Sequence, residues 1–261
     1  MQPLREHTPA LPPIALVGDG RVGNALARAG RAGGLEITLA GRSTLADAIA
    51  DHEVALLCVP DAEIEAAARA VAAAAPGLRH LGHTSGATGL DPLRTAAGAG
   101  VATFSLHPLQ TVPDGRADLI GAPAAVAGSD PETLELASHL AEALGMRPFE
   151  VPEGSRAAYH AAACIASNFL ITLQESAAGL LEGAGISDAR ELLAPLVLRT
   201  AANWAEHGGE ALTGPIARGD EGTIAAHLEA IDASAPELGD LYRALAERTR
   251  ALAGARQEVG A

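Results

Sequence analysis

The sequence predicts an α/β protein: a doubly wound, mostly parallel sheet followed by an all-helical C-terminal domain. Three observations predict it. An apolar run, Ile14 to Val17, breaks at Gly18, Gly20 and Gly23 and continues with helical spacing to about Ala32. Short apolar runs then alternate with helix-length segments as far as Val151. From Arg156 onward only helical patterns remain. A hinge-like stretch, Pro152-Glu153-Gly154-Ser155, separates the halves, with Ser155 placed to cap the next helix. The expected domains are therefore 13–152 and 153–261.

Taken in order, Leu35 to Ala40 reads as the second strand, and Val54 to Val59, ending in Pro60-Asp61, as the third. A helix over Ala62 to Ala75 leads to a strand at Leu78 to Leu81, which opens into Gly82-His83-Thr84-Ser85-Gly86. Val101 to Leu106 runs into His107-Pro108-Leu109-Gln110. Strands at Ala124 to Ala127 and Arg147 to Val151 flank a helix from about Pro131 to Leu144. In the helical half, one long helix is expected from Arg156 to about Glu182. A second spans Ser187 to Glu206, with Pro195 expected to kink or split it. Two more cover Glu221 to Ala233 and Pro236 to Ala253, and Arg218 and Asp220 are placed to cap the first of these. The stretch Ala157 to Leu173 is weakly charged, but Tyr159, His160, Ser167 and Asn168 interrupt it, so it reads as a buried helix before a membrane span.

Composition narrows the chemistry. A net charge of −14 argues against a nucleic-acid partner, because neutralising phosphates needs clustered cations. All 18 basic residues are arginine, so no lysine can serve as proton donor or Schiff base. Cys58 and Cys164 lie far apart and suggest reduced thiols in a cytoplasmic protein. His80 and His83 lack further ligands at metal spacing, so no metal site is expected. The opening Met1 to Pro13 has no apolar core and does not read as a signal peptide.

The glycine pattern carries the first functional expectation. In a strand–turn–helix, Gly18 makes the tight turn, Gly20 leaves room for a pyrophosphate, and Gly23 lets helix and strand pack closely. The end of the second strand reads Ala40-Gly41-Arg42-Ser43-Thr44 and holds no carboxylate. A guanidinium there suits a 2′-phosphate, which points to NADP before NAD. The expected cofactor set is Gly18, Asp19, Gly20, Arg21, Val22 and Gly23, with Arg42, Ser43 and Pro60. Substrate chemistry needs a proton donor, and without lysine the candidates are His107 and His160, with Asn168, Ser85 and Gln110 orienting. On one continuous helix, His160, Cys164 and Asn168 would share a face at i, i+4 and i+8.

With these motifs in view, the chain resembles the Rossmann-like proteins with a C-terminal domain of unknown function 2520. The resemblance rests on Gly82 to Gly86, Ser105 to Thr111, Tyr159 to Asn168 and Gly214 to Asp220. That family is similar to 6-phosphogluconate dehydrogenase, β-hydroxyacid dehydrogenase, pyrroline-5-carboxylate reductase and ketopantoate reductase. The resemblance implies an NADP-dependent oxidoreductase acting on a small oxo acid or imine, with ketopantoate as first guess, and a helical domain that forms a homodimer. It also implies that the loop bearing Thr84 and Ser85 touches the substrate. Relatives use a lysine on the first long helix of the second domain. His160 or Asn168 stands near that place here. Three other readings stay open: a prephenate dehydrogenase-like enzyme, suggested by His107-Pro108, a deazaflavin-linked dehydrogenase, and an NADP-binding sensor or scaffold without turnover.

Overall fold

A computed structural model describes residues 11–152 and 154–259. Seven strands form one sheet in the order β2-β1-β3-β4-β5-β6-β7. They are β1 (Ile14–Val17), β2 (Ile37–Ala40), β3 (Val54–Leu57), β4 (His80–His83), β5 (Ala102–Pro108), β6 (Pro123–Gly128) and β7 (Arg147–Glu150). The first five run parallel, β6 pairs antiparallel with β5, and β7 runs parallel to β6. The chain lays β2 on one side of β1 and returns to lay β3 on the other. That reversal is the switch point of a doubly wound sheet, where a crevice opens beyond the strand ends.

Alternation along each strand explains why both faces are covered. Ile14 and Leu16 of β1 join Phe104 and Leu106 of β5 in a core under α1 (Arg21–Ala32). Ala15 and Val17 face the other way, into a second core with Leu57 and Leu81 beside α2 (Leu45–Ile49) and α3 (Ile64–Ala74). Leu93 and Ala96 at α4 (Arg94–Gly98) belong to that same core. On the first face, α5 (Pro131–Ala143) begins at Asp130, whose carboxylate accepts the Thr133 N–H at 2.9 Å, a side-chain N-cap.

The remaining helices are α6 (Arg156–Ala166), α7 (Asn168–Gly183), α8 (Ala189–His207), α9 (Pro215–Arg218), α10 (Glu221–Ser234) and α11 (Gly239–Val259). Two compact units result, one ending at Cys164 and one beginning at Ile165, so most of α6 belongs with the sheet. Asp220 caps α10 by accepting from the Thr223 N–H at 3.1 Å and hydroxyl at 2.7 Å, as its placement suggested.

Three helical expectations need correction. The long helix is interrupted at Ser167 (φ −120°, ψ −70°), which resets the phase between α6 and α7. Pro195 does not split α8; the helix continues through it from Ala189 to His207. The stretch 157–173 is not buried either: Phe169 is 56% and Ile171 62% exposed, and no residue of α7 is buried. Among the described residues, too little packs on α7 to cover it. Arg156–Gly183 is by length and composition apolar enough to cross a membrane, with mean hydropathy 1.2.

Candidate functional site

The first cleft lies at the switch point. Its walls are Val17, Gly18, Asp19 and Gly20 after β1, Arg42 after β2, and Cys58, Val59 and Pro60 after β3, with Glu63 and three alanines of α3; its volume is about 670 Å³. The three glycines divide their work as geometry demands. Gly18 sits at φ +116°, and a Cβ there would lie 2.4 Å from the Cys58 carbonyl oxygen. A Cβ on Gly23 would fall 1.9 Å from the Gly18 oxygen, so helix and turn can touch only without it. Around Gly20 a Cβ meets nothing within 4 Å, which leaves open space beside the backbone at the start of α1. A turn closed at Gly18 and Gly23 and open at Gly20 fits a dinucleotide's pyrophosphate.

At the mouth of this cleft Arg42 pairs with Glu63 at 2.8 Å, its side chain 89% exposed. The Asp19 carboxylate also reaches the end of β2, where a Cβ on Gly41 would lie 2.8 Å from Asp Oδ2. The β2 end itself carries no acid, as read from the sequence, but folding brings two carboxylates to it, Asp19 from the turn after β1 and Glu63 from the turn before α3. Local spacing could not reveal that. Cys58 is an inert thiol: burial pushes it up to about 12.

A second cluster sits at the ends of β4 and β5 under α6. Residues His83 and Ser105 are register partners, and His107 lies two residues beyond Ser105 on the same side of β5. Two rungs tie α6 to this strand. Arg156 Nη2 donates to Ser105 Oγ, and Tyr159 OH meets His107 Nδ1 at 2.6 Å. Arg156 and Tyr159 are three apart on α6 and therefore neighbours on one helix face. His160 stacks edge-on to His107, ring centroids 6.0 Å apart. Gly86 is the gap through which both imidazoles fit, since a Cβ there would lie 2.7 Å from His107 Nε2 and 2.8 Å from His160 Nδ1.

Burial sets the protonation states. His107 is pulled down to about 4 by burial first, then by His160 and Arg156, so it is a neutral imidazole at pH 7. Burial also raises the Tyr159 phenol to about 12. With both neutral, the phenol O–H donates to Nδ1 and the proton of His107 rests on Nε2. His83 is fixed as a brace. Its Nε2–H donates to the Gly89 carbonyl at 2.8 Å, and its Nδ1 accepts the Ser85 N–H at 3.2 Å.

The other expected residues distribute unevenly. Ser85 Oγ donates to Asp61 Oδ2 at 2.8 Å and accepts the Thr88 N–H at 3.1 Å. Thr84 donates to the Leu57 carbonyl at 3.2 Å, so both hydroxyls already serve the loop. Gln110 is exposed and accepts the Thr111 N–H at 2.8 Å. Arg21 and Ser43 are exposed near the glycine turn and the β2 end, and Val22 packs against the first core. Asn168 starts α7 in the second unit, separated from the His160 helix by the Ser167 break. The sequence alone singles out neither Arg156 nor Tyr159 as a site residue. The usable signal was spacing: Ser105/His107 at two and Arg156/Tyr159 at three. Among the described residues no group of three or more metal-ligating side chains occurs.

The fold is that of a Rossmann-like α/β protein with a helical C-terminal part. Residues 122–249 match the family described as "Domain of unknown function (DUF2520)". Comparison with curated proteins finds no match. Similar solved structures include Bacteroides fragilis BF3122, provisionally designated an NADP oxidoreductase, at 23% identity and TM-score 0.77 over 92% of this chain and 98% of that one. Thermotoga maritima TM1727 is 22% identical with TM-score 0.74 over 94% and 99%. Plasmodium falciparum pyrroline carboxylate reductase, solved with NADP bound, is 13% identical with TM-score 0.61 over 93% and 98%. At these identities the likeness establishes the fold.

Proposed function

We propose that this protein is an NADPH-dependent reductase of a small oxo acid or imine. The observation that carries this reading is the switch-point cleft, with a turn closed at Gly18 and Gly23 and open at Gly20. The NADP-bound relative with the same fold supports it. Gly18 to Gly23 would hold the pyrophosphate, with Arg42 and Ser43 at the 2′-phosphate and Pro60 against the cleft wall. NADPH bound there supplies the hydride.

The chain's own residues would then manage the proton. His107 Nε2–H would donate to the substrate's oxygen or nitrogen, with Tyr159 OH behind Nδ1 to replenish the ring. A neutral phenol–imidazole pair of this kind can do what the absent lysine does in relatives. His160 lines the same side. Calorimetry with NADPH against NADH, followed by NADPH consumption over a panel of oxo acids (ketopantoate included) and cyclic imines, tests the reading. Binding without consumption by any of them would leave a nucleotide sensor in its place.

We also infer a cytoplasmic homodimer in which the exposed apolar side chains of α7 and α8, such as Phe169 and Leu198, are covered by a second copy. The free thiols of Cys58 and Cys164 agree with a reducing compartment. A sedimentation experiment that finds only monomer would remove the dimer.

A further inference from the structure

One buried charge has no task in the reductase scheme above. Arg156 is only 9% exposed, yet no carboxylate lies within ion-pair distance of it among the described residues. One terminal nitrogen donates to Ser105 Oγ; the other, Nη1, is buried without a partner. His160 Nδ1, on the same helix face, is likewise buried and unpartnered. A guanidinium held out of water without an anion is costly, and native proteins pair such charges. Among the described residues, the acid that acts on the His83 and His107 imidazoles is Asp61, and Ser85 already engages it.

We propose that Arg156 anchors a carboxylate carried by the substrate, which makes 2-oxo or 2-imino acids the substrate class. The proposal rests on the reductase reading. The two rungs between α6 and β5 set the geometry. Ser105 and His107 are two residues apart on an extended strand, about 7 Å along it. A carboxylate lodged by Arg156 would therefore leave the adjacent carbonyl or imine one rung away, beside the His107 imidazole. A planar guanidinium with one in-plane donor still free suits a carboxylate better than a neutral ketone. Arg156 would act on binding and selection, while His107 acts on the proton.

The test uses the full chain saturated with NADP⁺ and calorimetric titration with two probes, oxamate and its uncharged counterpart oxamide. Wild type is expected to prefer oxamate by about 10- to 100-fold. Arg156→Gln should abolish that preference while leaving NADP⁺ affinity unchanged, and Ser105→Ala should keep it. Equal binding of the two probes by wild type overturns the proposal, as does a preference that survives Arg156→Gln. If Arg156→Gln does not fold by circular dichroism, Arg156→Lys decides: a several-fold smaller preference supports the anchor, and an unchanged one overturns it. Failure of NADP⁺ itself to bind would strike the reductase reading instead, and this proposal with it.

Discussion

The two sites lie on one sheet edge but follow opposite electrostatic plans. In the cleft over β1 and β3, glycine, alanine and other uncharged residues form most of the wall, and the charged groups Arg42 and Glu63 pair with each other in water. Such an exposed pair is worth about 0–1 kcal/mol and can be exchanged for a ligand at little cost. Under α6 the groups are dry: the Arg156 guanidinium is buried, and two polar nitrogens lack partners. Each unsatisfied atom there costs about 1–3 kcal/mol, a deficit that a ligand can relieve. The first site can therefore hold a molecule by shape, with charge trimming its selectivity. The second is poised to respond to charge itself.

The largest effect that would test this contrast is on turnover. His107→Asn keeps a polar side chain but removes the ring that accepts from Tyr159. It should lower kcat by about 10²–10³-fold, with NADPH affinity unchanged. Tyr159→Phe, which leaves the imidazole without its 2.6 Å partner, should cost about tenfold. Single-turnover NADPH oxidation measures both. Unaltered rates in the two variants would reduce the cluster to packing.

Stability against pH is the next effect in size, and it belongs to the dry site alone. His107 is held down to about 4 in the folded chain against an ordinary value of 6.5. As pH falls below 6.5 the unfolded chain takes up the proton first. Stability is therefore full above 6.5, drains away toward pH 4, and levels off below it. Burial lowers His83 in the same direction. The His107 share is about 3 kcal/mol at most. Urea denaturation at pH 7 and pH 4.5 should show a smaller acid loss in His107→Asn than in wild type. An equal loss would mean that the imidazole is not kept neutral by its surroundings.

What the sequence revealed follows the same divide. The glycine turn was legible because its constraint is local: three glycines within six residues encode φ and close approach in the spacing itself. The strand–helix alternation was legible because a sheet buried on both faces writes apolar runs such as Val54 to Leu57. The α6 cluster was only half legible. His107 and His160 could be picked out as residue types, but Arg156 reads as an ordinary helix-start arginine until Ser105 is brought against it from 51 residues away. The Ser167 break was hidden because the helical pattern on either side is continuous in composition. The carboxylates of Asp19 and Glu63 reach Arg42's end of β2 only through the fold.

Arg42 and the acid that holds it sharpen the cofactor side of the contrast, and Glu63 carries the smallest effect. Arg42→Ala should weaken NADPH by about 10- to 30-fold and leave NADH nearly untouched, because only the former brings a phosphomonoester to a guanidinium. Glu63 must release Arg42 before a phosphate can take its place at 2.8 Å, and its own charge repels that phosphate. Glu63→Gln should therefore tighten NADPH, by only a few-fold, since the pair it breaks is solvated and screened. The gain should shrink as salt is raised, whereas a change acting through packing of α3 would not. Calorimetry at low and high ionic strength separates the two. NADPH and NADH tightening equally in Glu63→Gln would show that Arg42 does not read the phosphate.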